Sequence, residues 1–131
     1  MTPEETIQRV RDAMAALSRG DIDVAGALVH PEYTYTIRGR ASVSGVYRGW
    51  EAMAGVLRHI LDMTNGTLTA TPEIVLADEQ NVLMYMRVTA SRPDGRTYDN
   101  YQAYRYRLKD GLITEGETIP VDQHAFKEFF A

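Results

Sequence analysis

The chain has 131 residues, 44% of them hydrophobic and 24% charged, with a formal net charge of −4 and a pI near 5.3. That length suits a single domain over residues 1–131 with a core of its own. The acidic balance argues against a general nucleic-acid binder, which needs a basic face to release counterions. With no cysteine, disulfides, thiolate catalysis and thiolate-held metals are excluded, as fits a reducing compartment. The start "MTPEETIQRV" lacks a basic region followed by an apolar run, and no apolar segment approaches the ~20 residues that cross a bilayer. The expectation is a cytoplasmic protein with neither a membrane nor a nucleic-acid partner.

In chain order, Thr2, Pro3 and Glu5 form a capping-box start. Ile7, Val10, Met14 and Leu17 then lie on one helical face, which Gly20 closes. Asp21 is placed to cap a second helix with Ile22, Ala25, Leu28 and Val29, stopped by Pro31, with His30 as its C-terminal cap. "EYTYTIR" alternates as a strand, with Tyr33, Tyr35 and Ile37 on one side and Thr34, Thr36 and Arg38 on the other. A loop with Gly39, Gly45 and Gly49 leads to a third helix, whose stripe is Trp50, Met53, Leu57, Ile60 and Leu61. Period-two alternation then predicts strands at about 67–76, 82–91, 96–108 and 112–119, parted by turn residues. Asp122 caps a short last helix carrying Phe126, Phe129 and Phe130. The order predicts an α+β fold, with three N-terminal helices and a short C-terminal helix on a curved antiparallel sheet.

Parity assigns the faces of the long strands. Val82, Met84, Met86, Val88 and Ala90 point to the helices. On the next strand Tyr98, Asn100, Gln102, Tyr104, Tyr106 and Leu108 form the uncharged, inward set, provided no bulge intervenes. Amides and hydroxyls on an inner face need partners, because one left unpaired costs about 1–3 kcal/mol. A ligand cavity, a closed polar network and a subunit interface each provide them. The outer face, with Leu83, Tyr85, Tyr101 and Ala103, suits a homodimer contact.

Several segments together resemble the SnoaL-like branch of the NTF2-like superfamily. They are "SRGD" at 18–21, "HPEYTYTIRGRASVSGVYRGWEAM" at 30–53, "YDNYQAYRYRLKDGLITE" at 98–115 and "DQHAFKEFF" at 122–130. That superfamily includes ketosteroid isomerases, polyketide cyclases and limonene epoxide hydrolase. The resemblance implies a conical α+β barrel with a pocket between helices and sheet, often in a homodimer through the sheet's outer face. Carried over residue by residue, the isomerase base falls on Thr36, and the oxyanion donors fall on Ala13 and Tyr104. Only Tyr104 retains a donor there. The Asp–Arg–Asp set of the epoxide hydrolase is absent, with Thr118 or Glu117 at its last-strand position. Cyclases of this kind often place an acid on the last strands, and Glu117 alone answers to it.

The expected catalytic pair is therefore Tyr104, hydrogen-bonding a carbonyl or enolate, and Glu117, whose pKa would rise if it were buried beside tyrosines. The expected substrate-binding residues are Tyr35, Thr36, Arg38, Trp50, Met53, Leu57, Met84, Met86, Asn100, Gln102, Tyr106 and Thr118. The ligand would be hydrophobic and oxygenated, such as a polyketide or terpenoid. No cofactor is expected and, without histidines and carboxylates at ligand spacing, no metal. Two readings stand side by side: a SnoaL-like enzyme, or a ligand-binding or accessory dimer that has lost the acid–base residues.

Overall fold

The computed structural model describes all 131 residues. Helix α1 (Pro3–Ser18) starts as its sequence dictates. The Thr2 hydroxyl accepts the Glu5 N–H while the Glu5 carboxylate accepts the Thr2 N–H, closing the capping box. Helix α2 (Ile22–Gly26) is shorter than its apolar pattern predicts, and Val29 to Pro31 belong instead to strand β1 (Val29–Ile37). The cause is tertiary: Val29 lies opposite Ile113, and the Ile113 N–H donates to the Leu28 carbonyl. Pairing of this kind overrides a weak helical preference. Pro31 sits in the irregular stretch between paired Val29 and Thr34, where its missing N–H breaks no ladder bond. His30 caps no helix; its Nδ1 accepts the Glu32 N–H.

The glycine-bearing loop contains a short strand, β2 (Gly45–Arg48), that alternation did not reveal. Helix α3 (Trp50–Met63) follows, then β3 (Thr69–Ala77), β4 (Asn81–Ser91), β5 (Thr97–Lys109), β6 (Leu112–Pro120) and helix α4 (Gln123–Phe129). The strands form one six-stranded sheet in the order β2-β1-β6-β5-β4-β3. Strands β3 to β6 make the expected antiparallel meander, but β1 runs parallel to β6. The fold class stands as α+β, with a mixed rather than wholly antiparallel sheet.

Strands β4 and β5 pair without a register shift from Asn81↔Arg107 to Ser91↔Thr97, so the inward parity read from their sequences holds throughout. Two bulges lie beyond them. Glu73 is extruded between Pro72 and Ile74, and Thr114 is unpaired between Ile113 and Glu115. Such extra residues bend and twist a sheet, here helping it to coil around the helices. Val82, Met84, Met86 and Val88 are at most 1% exposed. Met84 and Met86 are thus sealed core rather than pocket wall, which corrects their assignment as substrate-binding residues. At the far end α4 is capped by Asp122, which accepts the Ala125 N–H. Phe126, Phe129 and Phe130 surround the Tyr98 ring at centroid distances of 6.4, 5.0 and 5.6 Å.

Candidate functional site

Between α1, α3, α4 and the concave side of the sheet lies a cavity of about 220 Å³. Tyr35, Trp50, Met53, Leu57, Gln102, Tyr104, Tyr106 and Thr118 line it, eight of the residues expected from sequence. Tyr33, Val10, Met14, Phe126 and Phe130 also line it and were missed. Tyr33 shares the parity of Tyr35, which was the available signal. The two phenylalanines required knowing that α4 closes over the strands. No charged side chain reaches this cavity.

Its polar groups form a chain whose direction is set from the backbone. The Asn100 side chain accepts the Asp122 N–H at 3.1 Å and donates to the Asp122 carbonyl at 3.0 Å, which fixes its amide orientation. Its second N–H donates to the Tyr98 hydroxyl at 2.8 Å. Tyr98 then donates to Gln102 Oε1 at 2.5 Å, and Gln102 Nε2 donates to the Tyr104 oxygen at 2.6 Å. The Tyr104 oxygen is therefore an acceptor at the end of the chain, and its own proton is free to point at a ligand. Asn100 does not line the cavity; it positions the chain instead.

The remaining phenols line the other walls. The Tyr35 hydroxyl pairs with Thr118 at 2.5 Å. Tyr104 and Tyr106 stack with planes 5° apart. Burial pushes Tyr35 up to about 12, against the opposing hydrogen bonds of Thr118 and Tyr106. Burial raises Tyr33, Tyr104 and Tyr106 further. Each remains a neutral hydrogen-bonding phenol at ordinary pH.

Gly116 makes this wall possible. A Cβ there would stand 2.3 Å from two carbons of the Tyr35 ring, so only glycine lets the ring lie flat on β6. Gly116→Ala is expected to displace Tyr35, break its Thr118 bond and cost about 1–3 kcal/mol, as overpacking does. A thermal melt that matched the wild type would disprove this packing.

Glu117, Arg38 and Thr36 are placed differently from expectation. Neighbouring strand residues point to opposite faces, so with Tyr35 and Thr118 inward, Thr36 and Glu117 face outward. Arg38 joins them by the same alternation. Glu117 Oε2 accepts from Arg38 Nε at 2.6 Å and Oε1 from Arg105 Nε at 3.3 Å. Partial burial pushes its carboxyl up, but the hydrogen bonds and charges of the two arginines outweigh that and hold it below the usual glutamate range. The condition for a raised pKa, burial beside the tyrosines, is not met, and the expected catalytic role is corrected: Glu117 is an ion-pair anchor on the outer face, not a proton-transfer group in the cavity.

A carboxyl lowered by folding stabilises the protein fully above its unfolded pKa, and that contribution is lost as pH falls through the folded value. Glu117→Gln should therefore cost about 1 kcal/mol at neutral pH, allowing for solvent around the half-exposed arginines. It should also flatten the acid limb of stability. Denaturant melts at neutral and acid pH measure both; an unchanged acid limb would disprove the pairing.

A family model described as a SnoaL-like domain matches residues 10–116. The chain is 29% identical to an uncharacterized protein of Mycobacterium tuberculosis over all of both chains. Among solved structures, it superposes on Bal32a from a soil-derived mobile gene cassette with a TM-score of 0.91. That pair is 26% identical, with 98% of each chain covered. It also superposes on a putative SnoaL-like polyketide cyclase from Jannaschia sp. CCS1 with a TM-score of 0.80 at 16% identity. That match covers 96% of this chain and 94% of the other.

Proposed function

This chain belongs to the SnoaL-like domain family, and from that premise we propose that it binds a compact, hydrophobic, carbonyl-bearing molecule and polarises the carbonyl through Tyr104. The observation that carries the reading is the Tyr104 hydroxyl, which accepts at the end of an oriented chain and donates to no protein group, on a residue lining an uncharged cavity. A hydrogen bond to a carbonyl oxygen strengthens as that oxygen gains charge on enolisation, so it favours an enolate-like transition state. With no carboxylate or histidine lining the cavity, the proton released goes to water or to another oxygen of the substrate. Isomerisation or ring closure of a substrate rich in carbonyls, which enolises readily, fits these means. An apolar cavity of about 150 Å³ holds one benzene ring, so 220 Å³ suits one or two rings.

The same absence of a base favours a second reading: a ligand-binding or accessory protein that holds such a molecule without converting it. The pH profile separates the two readings from an enzyme driven by a carboxylate. Neutral phenols give turnover that is flat from about pH 5 to pH 8, whereas a carboxylate step titrates.

We also propose a homodimer through the outer sheet face. Exposed Ile74, Leu76, Leu83 and Ile119 adjoin the stacked Tyr85–Tyr101 pair and Ala103 across β3 to β6. The flank carries both charge signs, as in Arg87–Asp99, which lets an isologous pairing match opposite charges. Native mass spectrometry of gently purified protein tests both proposals. The expected species is a dimer that takes up a cyclic diketone with one site per chain. A monomer would refute the interface, and failure of any cyclic ketone to bind would refute the pocket reading.

A further inference from the structure

The outer face holds a second concavity, of about 670 Å³, that the inner cavity does not share. It spans β2, β1, β6 and β5 and is almost wholly polar, with Leu108 its one hydrophobic lining residue. Four cations face it, Arg48, Arg105, Arg107 and Lys109, against two carboxylates, Glu32 and Glu115. This excess of positive charge stands in a chain whose net charge is −4.

The cations differ in how far they are engaged. Arg105 is shared between Glu115 at 3.4 Å and Glu117 at 3.3 Å. Arg48, Arg107 and Lys109 take part in none of the ion pairs within 4.0 Å. Asp78 feels the charge of Arg107, but its oxygens are taken up by Gln80 and Asn81. Thr34 and Thr36 add hydroxyls on the same wall. The groove thus combines three uncommitted cations with hydroxyl donors and walls of β-sheet.

We propose that this groove is a binding site for a small phosphoryl-bearing molecule, held by Arg48, Arg107 and Lys109 with Thr34 and Thr36 as hydroxyl donors. A phosphoryl group offers three acceptor oxygens and a charge near −2, which matches several donors arranged around one space better than a single planar carboxylate does. Glu115 competes for the same field: it engages Arg105 at 3.4 Å and repels an anion. This site is independent of the reading of the inner cavity.

Isothermal titration of the intact protein with inorganic pyrophosphate, at low and high salt and with citrate as a comparison, tests the proposal. The expected result is saturable binding that weakens as salt rises. Arg107→Gln and Arg48→Gln should each weaken it about fivefold, while Glu115→Gln tightens it by removing the competing charge. A gain in affinity cannot come from misfolding, so the Glu115 variant keeps the test sound if an arginine variant is unstable. Three results would overturn the proposal: no saturable binding of pyrophosphate, affinity indifferent to all three substitutions, or citrate bound as tightly as pyrophosphate.

Discussion

Tyr104→Phe is expected to weaken binding of a carbonyl-bearing ligand about tenfold, the loss of one hydrogen bond from a phenol in a cavity sheltered from water. The same change should leave the affinity for a deoxygenated ring of equal size nearly untouched, since the ring surface of residue 104 remains. It also removes the oxygen that accepts from Gln102 Nε2 at 2.6 Å, leaving a buried donor without its partner at a cost of about 1–3 kcal/mol of stability. The two effects separate cleanly. Calorimetric titrations with a cyclic ketone and with its hydrocarbon counterpart read the first, and a denaturant melt reads the second. Equal losses for ketone and hydrocarbon would show that Tyr104 merely shapes the cavity. Should neither affinity change, the donor role would have to be abandoned.

The second large effect concerns stability rather than binding. Met84 is 0% exposed, opposite Tyr104 on the neighbouring strand, yet it does not line the cavity. Met84→Ala is expected to cost about 2–5 kcal/mol, as truncating a sealed core side chain does. Ligand affinity measured well below the melting temperature should stay within about twofold, a difference of only a few tenths of a kcal/mol. Met84 thus contrasts with Tyr104, whose loss costs affinity as well as stability. If Met84→Ala instead opened a larger cavity that bound bulkier ligands tightly, the boundary between core and pocket would lie elsewhere.

These expectations rest on features that differ in how visible they are along the chain. The faces of β4 and β5 were legible because strict alternation runs unbroken from Val82 to Ala90 and from Tyr98 to Leu108, and the two strands pair without a bulge. The capping box at Thr2 and Glu5, the Asp122 cap and the four long strands were legible for the same reason: each depends on neighbours close in sequence. Family resemblance added the cavity's expected location and the fold class, and the family match bears out the second of these.

The site itself was legible only in part. Tyr35 and Thr36 were both assigned to one pocket, although adjacent strand residues cannot share a face; the burial of Tyr33, Tyr35 and Ile37 settles which set points inward. Glu117 was a candidate acid by family resemblance, and which way it faces is not legible in β6, which on its own has no clean alternation. Its parity is reset at the Thr114 bulge, and its neighbour on the far side is the parallel strand β1. No local pattern records either event.

By itself, then, the amino-acid sequence determined the elements and the inner faces of the long strands, because period and capping are local properties of the chain. It also determined the store of tyrosines and amides on β5. Tertiary structure decided that β1 would run beside β6 and that Glu117 would meet Arg38 across 79 residues of chain. It further decided that the backbone of Asp122 would orient a hydrogen-bond chain ending in a free Tyr104 proton. Those outcomes depend on which distant groups come within a few ångströms of each other, and only the closed fold sets such distances.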